Sequence, residues 1–249
     1  LVNNIGDPTL ASHGMQMWVF PTATNLGVTS QVIVFDSTNA GGPAITADGY
    51  WTHVNSGHVN LPGTVPVVAN QWAHVAQHIY RNDDNNSPDV IPGTGDPARM
   101  FTSVLYVNGV AVSANNDIDL GPAATTGAFM VGAADQAAAG APVSPTAFFS
   151  GVVDELKVYR SGPNDFNLFT DNEWFAANLP ANYKQGDINF DGNVTQADVT
   201  AFVAGWLKEK RLDGGHNDIW VGDYETLGWG DIDLNDRVNL DDAFLLDAA

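Results

Sequence analysis

About the first 160 residues are built from short runs in which apolar and polar positions alternate, separated by clusters of Gly, Pro, Asn, Asp and Ser. MQMWVF (15–20), SQVIVFDS (30–37), WAHVAQHIY (72–80), TSVLYVNGVAVSA (102–114), AFMVGAA (128–134) and GVVDELKVYR (151–160) are rich in β-branched and aromatic residues. That composition suits a pleated, half-buried surface. Asn108-Gly109 lies between two alternating runs and predicts a tight hairpin turn, whose central residues need positive φ. Long polar loops such as RNDDNNSPDVIPGTGDPAR (81–99) separate the runs, and helical periodicity is nearly absent. Strands at this spacing predict a β-sandwich.

The pattern changes at 161. SGPNDFNLFTDNEWFAANLP carries turn and capping residues and then a short helical stretch, which predicts a helix closing onto the sandwich. ANYKQ (181–185) reads as a linker. Beyond it, VTAFVAGWLKEK places Val199, Phe202, Val203, Trp206 and Leu207 on one helical face. The expected organisation is a mainly β chain: a sandwich over 1–180, a linker at 181–185, and a small helical domain over 186–249.

Ahead of that helix stands DINFDGNVTQAD (187–198). Asp187, Asn189, Asp191, Thr195 and Asp198 occupy its first, third, fifth, ninth and twelfth places, and Gly192 its sixth. A hard divalent cation takes six to eight oxygens, and a twelve-residue EF-hand-type loop supplies them from places one, three, five, seven, nine and twelve. Place seven gives a backbone carbonyl, so Asn193 needs no special side chain. Glycine at six permits the positive φ of a sharp turn. The pattern returns in DIDLNDRVNLDD (231–242), with Asp231, Asp233, Asn235, Arg237, Asn239 and Asp242 at the ligand places and Asp236 at six. A ligand pattern repeated in this way is an internal repeat. Two calcium sites are therefore expected, with calcium favoured over magnesium by the flexible, many-oxygen geometry. Val194 and Val238, both at place eight, are expected to join the loops through a short β contact. The plainer reading, an acidic loop before a helix with Asp198 as its cap, stays open for each loop.

Charge narrows the partners. A formal net charge of −20 argues against nucleic acid and anionic membranes, which attract basic surfaces. Of the 29 acidic residues only four are glutamate, and short carboxylates suit turns and oxygen-rich cation sites. The chain has no cysteine, which excludes disulfides and thiolate metal sites. No apolar run approaches the roughly 18 residues of a membrane span. The chain begins at Leu1 without a basic-then-apolar leader, so a removed signal peptide or a segment of something longer is expected.

With its paired D-x-N-x-D-G-x-V-x-x-x-D loops and following helix, the stretch 186–249 resembles a type I dockerin module. The resemblance implies two calcium ions and docking to a cohesin-like protein. The interval between the loops departs from the family, carrying the aromatic segment GGHNDIWVGDYETLGW (214–229). The second helix also stops early, at Ala249. Places ten and eleven, which hold Ser/Thr-type pairs in cohesin-binding dockerins, are Gln196-Ala197 and Leu240-Asp241 here; that departure bears on the partner, not the cation. MWVF, WAHVA, LYVNGVAV, FMVGA and GVVDELKVYR resemble a laminin-G-like, concanavalin A-like jelly roll, and the pairing is similar to secreted proteins of planctomycete-type bacteria.

A glycosidase needs two carboxylates flanking one bond. The first 160 residues hold a single glutamate, Glu155, beside Asp154, and neighbours on a strand face opposite ways. A further calcium site at Asp154 remains a candidate. His74 and His78 share a strand face; ordinary strand histidines are the favoured reading, as for His53 and His58. IPGTGDP (91–97) lacks the strand-to-helix setting of a phosphate loop. The expectation is an extracellular or cell-surface, non-enzymatic calcium-binding assembly protein, docking to a partner or to another copy. The alternative is a dockerin-tethered carbohydrate-binding module using Tyr50, Trp51 and His53.

Overall fold

The structure, a computed structural model, describes residues 12–23, 30–36, 41–54, 63–81, 100–119, 129–135, 145–161, 177–213 and 218–249. The segment LVNNIGDPTL, His58, IPGTGDP and most of the stretch expected to form a closing helix lie outside them. The strands run β1 (Ser12–Pro21), β2 (Gln31–Val32), β3 (Val34–Asp36), β4 (Gly42–Ile45), β5 (Trp51–Val54), β6 (Ala73–Arg81) and β7 (Met100–Val107). They continue with β8 (Val110–Asp119), β9 (Phe129–Val131), β10 (Ala134–Asp135), β11 (Pro145–Thr146) and β12 (Gly151–Ser161). Then follow α1 (Gln196–Gly205), β13 (Arg211–Asp213), β14 (Asp218–Trp220), α2 (Tyr224–Leu227) and α3 (Leu240–Asp247). The fold is mainly β, with its helices near the C-terminal end. Among the described residues no helix is long and apolar enough to cross a membrane.

An antiparallel sheet in the order β12-β1-β6-β7-β8 faces the three-stranded sheet β2-β4-β5 and the pair β3-β9. Strand alternation sends Met15, Met17 and Val19 of β1, Val75 of β6, and Leu105 and Val107 of β7 inward. There they pack on Ile33, Val34, Ile45 and Trp51. The Asn108-Gly109 turn has φ of 51° and 79° at its two central residues, as its sequence requires. A bulge in β8 leaves Val112 unpaired between Leu105↔Ser113 and Tyr106↔Ala111. Both Val112 and Ser113 can then face inward; Val112 joins the core, and Ser113 Oγ lies 3.3 Å from His53 Nδ1. Among the described strands, β4, β5, β11, β13 and β14 were missed in the sequence, because such short stretches carry too little periodicity.

The opposite face of the five-stranded sheet is also apolar. Ala76, Val104, Tyr106, Ala111 and Ala114 form a second core with Ile219, Val221 and Leu227 from the C-terminal region, and Phe190, Tyr224 and Leu234 pack against it. Tyr183, in the segment expected as a linker, packs here too; burial first, and then the nearby Asp187 carboxylate, push its hydroxyl up to about 12.

Candidate metal centre

Each acidic loop is organised by its own backbone amides. In the first, Asp187 accepts from Asp191 N at 3.1 Å and Gly192 N at 2.8 Å, while Asp191 Oδ1 accepts from Asn193 N at 2.9 Å. Asp198, fully buried, collects Ile188 N at 2.9 Å, Asn189 N at 3.2 Å and Thr195 N at 2.7 Å. Burial raises its pKa, but the backbone hydrogen bonds from Thr195, Asn189 and Ile188 outweigh it and hold the carboxyl below the usual range. Thr195, not Asp198, is the N-cap of α1, and the two form a capping box. Places nine and twelve of the loop are thus also the first turn of the helix. The ligand reading and the cap reading of Asp198 are compatible.

The second loop repeats this layout. Asp242 accepts from Ile232 N at 2.6 Å, Asp233 N at 3.2 Å and Asn239 N at 2.8 Å, and Asn239 caps α3 in a second capping box. Backbone shape repeats with it. Place four is left-handed in both loops (Phe190 at 59°, Leu234 at 58°), as is place six (Gly192 at 88°, Asp236 at 82°). Aspartate at place six thus holds the conformation glycine holds in the first loop, at a cost of about 1 kcal/mol.

The loops differ in one respect that matters for a cation. Asp231, Asp233 and Asp242 bring carboxylate oxygens within 4.8 Å of one another, the one such acidic group among the described residues. Asp231 is fully buried and its Oδ2 has no hydrogen-bond partner. Burial, reinforced by the Asp242 and Asp233 carboxylates, pushes the Asp231 carboxyl up to about 7 against opposing hydrogen bonds. Burial likewise raises Asp233, with Asp242 beside it. An orphaned buried carboxylate oxygen is costly, and a hard cation would satisfy it. The donor set fits calcium: carboxylates, the Asn235 amide oxygen and the Arg237 carbonyl, with no nitrogen or sulfur ligand required. In the first loop both Asp187 oxygens already hold backbone amides, so the three carboxylates are not gathered as closely.

The place-eight valines do not join the loops. Val238 instead pairs with the end of the first helix, its carbonyl accepting from Leu207 N at 3.0 Å and its amide bonding Lys208 O at 3.0 Å. Val238 is fully buried with Ile188, Phe202 and Ile232, whereas Val194 is half-buried. The long interval between the loops offsets them, so the chain leaving α1, not the first loop, meets the second. The helical face read from the sequence is only partly covered: Phe202 is buried, but Val203 and Leu207 are 67% and 70% exposed.

Elsewhere, His74 and His78 lie on β6 facing the same way, as strand spacing requires. His74 Nε2 is 3.1 Å from Gln16 Oε1 and its Nδ1 3.1 Å from Asn178 Nδ2. Burial pushes His53 and His74 down to about 4 and His78 to about 3, so all three are neutral rings at neutral pH. Trp51 and His53 are buried inside the sandwich, which removes them as glycan-stacking groups. Asp154 pairs with Trp18 of β1, and the exposed Glu155 follows it in a β12 bulge opposite Met17, where Asp154 Oδ1 accepts the Glu155 amide at 2.8 Å. Asp154 belongs to no metal-type cluster among the described residues.

One buried carboxylate that joins the C-terminal region to the sandwich escaped the sequence reading. Asp223 is fully buried and accepts from Ala111 N at 2.9 Å, Lys210 Nζ at 2.6 Å, Glu225 N at 2.8 Å and Thr226 N at 3.0 Å. Its signal was the capping box Asp223-x-x-Thr226 at the start of α2, inside the inter-loop segment.

No protein-family model matches the chain, and no curated protein matches it. Among solved structures it is similar to domain 4 of AbnA, a GH43 extracellular arabinanase from Geobacillus stearothermophilus, in complex with arabinotriose. That match has 17% identity and a TM-score of 0.36 over 62% of this chain and 63% of that one. It is also similar to the native heptameric SAP-like pentraxin from Limulus polyphemus, with 15% identity and a TM-score of 0.38 over 60% of this chain and 65% of that one. The chain spans less than two thirds of the length of each. Likeness at this level bears on neither ligand nor activity.

Proposed function

We propose that the chain is an extracellular, non-enzymatic calcium-binding assembly or adhesion protein. A sandwich body over 1–180 carries a dockerin-like paired-loop module over 186–249. The observation that carries the calcium reading is the buried, unpartnered Asp231 Oδ2 beside Asp233 and Asp242. Docking is supported by apolar side chains left in solvent on the two helices that follow the loops: Val199, Val203 and Leu207 on and just after α1, and Leu240 and Phe244 on α3. Exposed apolar side chains concentrated on two helices mark an interaction surface. The partner is a cohesin-like protein or another copy of the chain, with a surface filament as the sharper form of the latter. Sedimentation velocity in millimolar calcium and after chelation tests this. Oligomers that dissociate on chelation, and that Val203→Ser with Leu207→Ser prevents, would support self-docking. Monomers in both conditions would eliminate it and leave a separate protein partner.

A carbohydrate-binding role has one observation of its own. Phe20 and Trp72 lie 5.3 Å apart on the outer sheet face, with Val152 opposite Phe20 on β12. Trp72 is 43% exposed, and Trp18 follows two residues before Phe20 on the same face. Such a row can stack sugar rings. Trp72→Ala should then weaken retardation by a soluble polysaccharide in affinity electrophoresis by up to about tenfold. Equal mobility of both proteins across a polysaccharide panel would remove this reading.

A further inference from the structure

The inter-loop segment that sets this chain apart from paired-loop modules lies where the C-terminal region meets the sandwich. Its helix α2 is fixed to the β7–β8 hairpin by one backbone and one side-chain hydrogen bond. Tyr224 N donates to Gly109 O at 3.0 Å, and Asp223 Oδ2 accepts the Ala111 amide at 2.9 Å. A Cβ on Gly109 would stand 3.3 Å from Tyr224 Cβ and 3.2 Å from Asn178 Cβ, so the fit there is close. The other end of α2 leads into the second acidic loop. The Thr226 carbonyl accepts from Trp229 N at 2.9 Å and from Asp231 N at 3.1 Å, and Asp231 is that loop's first ligand place.

The loops meet the same surface through their fourth places. Phe190 stacks on Tyr224 with ring centroids 4.7 Å apart and planes 7° from parallel, and Leu234 packs into the same outer-sheet cluster. Both residues are left-handed without being glycine, a conformation that persists only when surrounding structure holds it. Place four lies between ligand places three and five. The turn that brings those oxygens together is therefore the turn that aims Phe190 and Leu234 at the sheet.

We propose that the outer face of the five-stranded sheet is a calcium-gated interface within the chain. Cation loading of the two loops seats α2, Phe190 and Leu234 on the strip formed by Ala76, Val104, Tyr106, Ala111 and Ala114. Loss of the cations releases Asp223 from Ala111 and uncovers that strip. Asp223 is a positioning residue: it touches no ligand place, and acts by holding α2 so that Thr226 can fix Asp231. The inference rests on the calcium reading of the loops and adds to it a defined place where occupancy is felt. Unloaded, the loop carboxylates repel one another, and the strained turns lose the ion that offsets their cost. The exposed strip would be an apolar sheet face open to another chain.

Amide hydrogen exchange of the full chain, followed by NMR in calcium chloride and in excess chelator, tests it. Protection of the Ala111 and Tyr224 amides should fall by at least about tenfold on chelation, while the Ile33 amide, bonded to Pro43 O on the opposite side of the sandwich, stays protected. Asp223→Asn in saturating calcium should lower Ala111 protection and weaken calcium uptake by about tenfold, as contacting groups in one network do. Calorimetric titration with calcium separates the failures. No uptake by the wild-type chain would overturn the calcium reading, and the gating with it. Normal uptake with Ala111 protection unchanged by chelation would overturn the gating alone. If Asp223→Asn does not fold, the wild-type comparison decides on its own.

Discussion

Asp231→Asn should raise the stability of the calcium-free protein at pH 7 and at the same time abolish its response to calcium at the second loop. Both effects follow from one carboxylate. Asp231 is fully buried, and without an ion its Oδ2 has no partner. Burial and the neighbouring Asp242 and Asp233 put its folded pKa at about 7, well above the roughly 3.9 of an unfolded aspartate. The folded state therefore holds this proton more tightly than the unfolded state. Its stabilising effect is fully present below about pH 4 and is lost as pH rises through about 7. At pH 7 the calcium-free protein carries the cost, and an uncharged amide that can donate to Asp233 and Asp242 relieves it. With calcium the order reverses. A ligand at a thousand times its Kd stabilises by about 4 kcal/mol, and the variant forfeits that. Urea unfolding followed by tryptophan fluorescence, with and without calcium, should give curves that cross between wild type and variant. A variant that keeps the wild-type calcium shift would refute the ligand role of Asp231. A calcium-free variant less stable than wild type would instead show that Asp231 sits in water.

Phe190 and Leu234 are fourth-place residues of the two loops, yet they pack against the sheet with Ala76 and Tyr106. Calcium withdrawal should therefore lower the stability of β6–β8 along with that of the loops, rather than leaving the sandwich untouched.

What could be read from the chain, and what could not, divides along the range of the forces involved. The strands around Met17, Val75 and Leu105 were legible because period-two alternation is local. The hairpin at Asn108-Gly109 was legible because its turn type dictates its residues. The sharp turn of the first loop was legible because glycine at place six marks a left-handed residue, and Gly192 and its counterpart Asp236 are both left-handed. The second core was not found, although its sign was present. Ala76, Val104 and Tyr106 make β6 and β7 apolar on both faces, and strands of that kind are covered on both sides. The helical face of α1 was over-read for a related reason: periodicity reports which side is apolar, not whether anything covers it. Phe202 meets a partner, while Val203 and Leu207 do not. Asp223 carried a local signal in its capping box with Thr226, but its contact with the Ala111 amide, 112 residues away, left no mark in the sequence.

Gly205→Ala should be among the most damaging single-methyl additions in the chain, against the direction that helix propensity gives. Gly205 ends α1, and in a helix alanine is ordinarily favoured over glycine by about 1 kcal/mol. Here a Cβ would stand 1.8 Å from the Trp229 carbonyl oxygen and 2.7 Å from its carbon. Both are backbone atoms, which cannot swing aside as a side-chain tip would. Nor can the Trp229 peptide retreat: Trp229 N is bonded to Thr226 O at 2.9 Å, and Asp231 N, two residues on, to the same oxygen at 3.1 Å. Relieving the clash must part α1 from the second loop or displace the loop's first ligand place. Overpacking of this kind costs about 1–3 kcal/mol and more where the backbone is fixed, so the contact outweighs the propensity. The variant should lose about 3 kcal/mol in calcium-loaded urea unfolding and bind calcium more weakly at the second loop. The first loop, whose Asp198 lies in the first turn at the far end of α1, should be affected less. An unchanged or raised midpoint would mean that α1 does not approach Trp229, and the packing of the two loops around Phe202 and Val238 would have to be redrawn.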